Sequence, residues 1–90
     1  MKNEFRCPLT GTASRRYITQ YHSRGGGWVD MEIWASIARA EFCFRVWGCV
    51  AGETIDRFYK ADEFDDACAF LLEMRGKIQN DAKKRKDEII

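Results

Sequence analysis

Ninety residues, 46% hydrophobic and 13% aromatic with a single proline, suit one folded domain and leave no room for a second core. The chain is too apolar for disorder and too short for an enzyme with separate substrate and cofactor lobes. The formal net charge of +1 conceals a pattern: +3 over 1–61, −4 over 62–76 and +2 over 77–90, an asymmetry that bears on partners rather than on fold.

Residues 5–14 read as an extended entry segment, because Cys7 precedes Pro8 and Gly11 and Ser14 mark a turn. Arg15 to His22 is rich in β-branched and aromatic residues and is expected to be the first strand, with Tyr17, Thr19 and Tyr21 sharing one face. Gly25-Gly26-Gly27 predicts a hairpin tip. From Trp28 to Ala35 two patterns compete. Val29, Met31, Ile33 and Ala35 alternate with Asp30 and Glu32, as in a strand; Met31, Trp34, Ile37 and Ala38 fit a helix capped by Asp30. The strand is preferred, since the hairpin supplies it with a partner.

Glu41 to Val50 is expected to be a strand with Phe42, Phe44 and Val46 on one face and Cys43, Arg45 and Trp47 on the other. A short turn at 51–53 leads to a fourth strand, Thr54 to Lys60. Asp62 is expected to open a helix whose first turn is acidic (Asp62, Glu63, Asp65, Asp66), in keeping with the helix dipole. Its apolar stripe is Phe64, Ala67, Cys68, Leu71, Met74 and Ile78, and Gly76 is a candidate stop. The expected architecture is therefore α+β: a four-stranded antiparallel β-meander with one C-terminal helix packed on one face. Residues 1–78 form the domain, and 79–90 a polar, basic extension that is either more helix or a tail.

No run reaches the roughly 18 apolar residues of a membrane helix, and the first residues lack the apolar core of a signal peptide. The expected setting is the cytoplasm (of the host cell, if phage-encoded), with no membrane partner and all four cysteines, Cys7, Cys43, Cys49 and Cys68, reduced. Their spacings include no short pair of the zinc type, so no metal is expected. Cys43 and Cys49 lie too far apart along one strand to bond to each other. A Cys–His pair with His22 lacks any third group to orient it. Gly25–Gly27 does not match a phosphate-binding loop. No cofactor and no catalysis are expected.

One segment concentrates chemistry. Between 5 and 28 there are four arginines and no acid. Arg15, Arg16, Tyr17, Tyr21, Arg24 and Trp28 gather on the first hairpin and are the candidate partner-binding residues. Guanidinium and aromatic groups serve protein hot spots and nucleic-acid stacking alike. Lys83-Lys84-Arg85-Lys86 forms a second basic cluster.

Two resemblances accompany this reading. The stretch 46–71 resembles the WGR domain through Trp47-Gly48, Gly52, Phe64 and Ala67, although Cys49 stands in place of the family's arginine and Ala51 in place of its next glycine. That resemblance implies a nucleic-acid-associated β domain with a closing helix. In type, the whole chain is similar to small phage-encoded anti-CRISPR inhibitors. That resemblance implies a non-catalytic protein that blocks a nucleic-acid-handling complex by surface contact. The expected partner is a protein or ribonucleoprotein complex, with nucleic-acid backbone contact as an addition; the alternative is a direct nucleic-acid-binding module. The oligomeric state is left open.

Overall fold

A computed structural model describes residues 14–36 and 41–89, with side chains for 15–36 and 41–84. Of the entry segment expected over 5–14, residues 5–13 lie outside the described residues, as does the connection 37–40; Ser14, expected in a turn, opens the first strand instead. Four strands, β1 (Ser14–His22), β2 (Trp28–Ser36), β3 (Glu41–Val50) and β4 (Glu53–Lys60), lead through a 3-10 turn (Ala61–Glu63) into one helix, α1 (Phe64–Ile89). The sheet order is β1-β2-β3-β4 and every neighbour is antiparallel. The chain is thus the expected α+β meander with its helix on one face. Residues 28–36 are strand, paired with β1 on one side and β3 on the other.

Turn chemistry sets the register. At the first hairpin Ser23 N–H donates to the Gly27 carbonyl (2.8 Å) and Gly26 N–H to the Ser23 carbonyl (3.1 Å), with Gly26 at φ 101. The β3–β4 hairpin turns on Ala51 (φ 52) and Gly52 (φ 84), both left-handed as a tight two-residue hairpin with strand-matching twist demands. Gly48 has a different reason to be glycine. A Cβ there would run into the Trp28 carbonyl oxygen and lie 2.8 Å from Val29 Cα, so β2 and β3 could not close.

The core lies between the sheet and α1. Val29 and Met31 of β2, Phe44, Val46 and Val50 of β3 and Tyr59 of β4 meet Ala67, Phe70, Met74 and Ile78 of the helix. The expected stripe holds at Ala67, Met74 and Ile78 and needs two corrections. Phe70, absent from it, is buried, one turn before Met74. Phe64 is 42% exposed; it starts the helix, with its ring centroid 5.0 Å from that of Phe44. Cys68 and Leu71 are half-buried on the helix flank.

The helix ends also differ from expectation. Lys60 is extended, its N–H donates to Glu63 Oε1 (2.8 Å), and Asp62 falls in the 3-10 turn, so α1 opens at Phe64. Gly76 does not stop it. A mid-helix glycine costs only about 1 kcal/mol, and α1 runs on through the basic cluster to Ile89. Buried Ile78, two residues beyond Gly76, holds that continuation against the sheet.

β1 carries a bulge. Tyr17 faces Glu32 and Thr19 faces Met31, with a register shift between them at Ile18. The extra residue reverses the alternation. Arg16, Thr19 and Tyr21 therefore lie on the helix side, opposite Ile33, Met31 and Val29, while Arg15, Tyr17, Gln20 and His22 lie on the other, opposite Trp34, Glu32, Asp30 and Trp28. The expected grouping of Tyr17 with Thr19 and Tyr21 is corrected accordingly.

Candidate binding face

The sheet face away from α1 is not a plain solvated surface. Strand alternation delivers Trp28, Asp30, Glu32 and Trp34 from β2, Arg45 and Trp47 from β3, and Asp56 and Phe58 from β4 to it. All three tryptophans of the chain are there, each half-buried. β1 adds Arg15 and Tyr17 at the margin.

Glu32 is the centre of this layer. Its carboxylate is buried, which is tolerable only if its oxygens find donors. Trp34 Nε1–H donates to Oε1 at 2.7 Å and Trp47 Nε1–H to Oε2 at 3.1 Å. Arg45 Nη1 lies 3.9 Å from Oε1. The two indoles are thereby fixed on either side of one carboxylate.

Arg45 holds the other half together. Its Nε and Nη2 donate to Asp56 Oδ1 and Oδ2, each at 2.8 Å, in a bidentate fork across the β3–β4 pair. The guanidinium stacks over Trp47 at 4.1 Å and approaches Trp34 and Phe58 at 5.6 and 5.5 Å. The Asp56 hydrogen bonds hold Arg45 above its ordinary pKa, against the effect of burial, and the charges of Asp56 and Glu32 add to them. Edge-to-face pairs complete the layer, Trp28 on Trp47 at 5.0 Å and Trp34 on Phe58 at 5.2 Å. At its end, His22 Nε2 meets the buried Asp30 Oδ1 at 3.0 Å, and its ring leans on Trp28.

The hairpin residues expected to form the site are divided by the fold. Arg15, Tyr17 and Trp28 reach this face; the Arg15 guanidinium lies 5.4 Å from the Trp34 ring and Tyr17 is 57% exposed. Tyr21 turns to the helix side and is half-buried beneath the Arg75 guanidinium, 4.9 Å away. Arg16 points to that side too, and Arg24 is exposed at the hairpin tip. Trp34, Arg45, Trp47, Phe58 and the two buried acids join the face unforeseen. The alternation of β3 already set Arg45 and Trp47 together; the missing step was their register against Glu32.

The cysteines correct one expectation. Cys43, buried and on this same face, is disulfide-bonded, while Cys49 and Cys68 are free. Cys7 lies outside the described residues. Among the described residues, no three His, Cys, Asp or Glu side chains converge on a metal-sized site. No described helix is long and apolar enough to cross a membrane.

Comparison with known protein families, with curated proteins and with solved structures finds no match to this chain.

Proposed function

We propose that the chain is a non-catalytic binding protein that docks a protein surface with the sheet face opposite α1. The observation that carries this reading is the gathering of all three tryptophans, with Arg15, Arg45 and Tyr17, on the sheet face opposite the helix. Trp, Tyr and Arg are the residues on which protein interfaces concentrate their affinity. The Glu32 and Arg45 network holds the rings in place before any partner arrives, which lowers the ordering cost of association.

Electrostatics favours protein over nucleic acid at this face. Its bases, Arg15, Arg45 and Lys60, are matched by Asp30, Glu32, Glu41 and Asp56. A phosphate backbone calls for bases in excess. The rings of Trp47 and Trp34 also already take guanidinium stacks. The finer reading is an inhibitor or modulator of a nucleic-acid-handling complex, such as a CRISPR ribonucleoprotein, acting in the cytoplasm. The bonded Cys43 is the feature that challenges that compartment, because disulfides persist mainly where the medium oxidises.

The test is capture from host lysate, with and without nuclease, by the parent chain and by Arg15→Glu, Tyr17→Ala and Lys84→Glu. The first two variants are expected to weaken capture of the same protein band at least about tenfold, matching the loss of an interface anchor. Lys84→Glu and nuclease should leave it unchanged. Full capture by the first two, or loss of capture with nuclease alone, overturns the reading.

A further inference from the structure

We propose that a second surface, where the β1–β2 hairpin tip meets the C-terminal half of α1, contacts the phosphate backbone of a nucleic acid through Arg16, Arg24, Arg75 and Lys83. In sequence these bases belong to separate segments, and residues 14–27 contain no acid. The fold brings them to one flank. Gly27 packs against Ile78 so closely that a Cβ there would come within 3.0 Å of its Cγ2, and a Cβ on Gly25 would lie 3.7 Å from that of Ala82. The tip carrying Arg24 therefore rests beside the helical turn that carries Lys83.

Arg75 closes the gap from the other side. Its guanidinium lies 4.9 Å from the Tyr21 ring, which places it over the helix side of β1. Arg75, Gln79 and Lys83 follow at four-residue steps and so run along one line of the helix. Arg16 lies on the same side of β1, opposite Ile33. All four bases are exposed. The helical acid nearest Arg75 in sequence, Glu73, is engaged elsewhere, 3.7 Å from Lys77.

The chemistry fits a backbone rather than a protein hot spot. Arginine forks match phosphate oxygens, and the four bases form a string instead of a cluster around an apolar anchor. The Tyr21 ring on this side of β1 is already covered by Arg75. This surface is distinct from the sheet face opposite α1, so each can fail without the other.

The test is fluorescence anisotropy with a labelled mixed-sequence RNA of about 20 nucleotides, with a DNA duplex of equal length as a second arm, from about 50 to about 200 mM salt. Four single-strand phosphate contacts give a log–log salt slope of about −3, roughly a sixtyfold loss over that range. The double variant Arg24→Glu/Lys83→Glu is expected to lower affinity at least about tenfold at the lower salt, with an unchanged melting curve. Arg75→Gln should give a smaller loss, and Tyr17→Ala none. Tighter binding of the duplex keeps the assignment and names the duplex as the ligand. Absence of salt-dependent binding, indifference to the double variant, or equal binding of polyglutamate overturns it, the last in favour of an acidic protein.

Discussion

The two faces of the sheet are stabilised by different physics. Under α1, Met31, Val46, Phe44 and Phe70 exclude water and make no polar demands. On the other face, Asp30 and Glu32 are as thoroughly buried as their apolar neighbours, yet they are held by imidazole and indole donors, with a guanidinium near Glu32. Val29 to Glu32 is therefore buried without a break although its chemistry alternates strictly. Burial by itself does not reveal which face is which. The helix side tolerates any good apolar fit, whereas the other side depends on each donor finding its acceptor.

The sharpest way to break the helix side is Phe70→Ala. Emptying a buried phenylalanine site costs about 3–5 kcal/mol, and chemical denaturation of this small domain should show it as a large drop in midpoint. Phe64→Ala is the internal control. Its ring is 42% exposed and should cost less than half as much. Equal losses would mean that the helix seats one turn earlier than described.

The meander, the two hairpins and the two faces of β3 are legible in the sequence, because turn glycines and strict alternation act locally. Phe70 is not, since Leu71 beside it satisfies a helical stripe almost as well. The bulge at Ile18 was invisible for a deeper reason. Arg15 to Gln20 is exposed throughout, so no buried face pins the register of that strand. The bulge carries Tyr21 to the helix side, away from Tyr17, with which simple alternation had grouped it. Glu32 read as the polar member of an alternating pair; its role needs Trp47 brought from 15 residues away.

The next prediction tests the face opposite α1. Glu32→Gln keeps the shape but presents an NH2 where one indole N–H must donate. One donor is then left facing another, and the Arg45 charge loses a neighbour. A loss of about 1–3 kcal/mol is expected, with a change in tryptophan fluorescence that Phe70→Ala at equal stability does not reproduce. Asp56→Asn should cost less, because Asp56 is 43% exposed and water replaces part of what the fork gives. If Glu32→Gln is neutral in both readouts, the carboxylate is not the organiser of the rings and the contrast between the faces dissolves.

The smallest effect lies at the turn both faces share. Ala51 holds φ 52, a left-handed conformation that sets its Cβ against the following carbonyl and costs an L-residue roughly 1–2 kcal/mol. Gly52, its partner in the turn, has no such penalty. Glycine at 51 would relieve the strain but enlarge the freedom of the unfolded chain, so the two terms nearly cancel. Asparagine avoids most of that loss. It enters the left-handed region more readily than alanine, and Asn-Gly is the preferred pair for this hairpin. Ala51 is exposed, so the larger side chain meets no packing cost. Ala51→Asn is expected to raise stability by about 0.5–1 kcal/mol, read as a small upward shift in melting temperature, with Ala51→Gly falling between it and the parent. Because the change touches neither Phe70 nor Glu32, it should add to both of the losses above without altering their difference. A destabilised Ala51→Asn would show that the turn is not left-handed at both central residues, and the registry of β4 against β3, on which Asp56 and Phe58 depend for their places, would have to be redrawn.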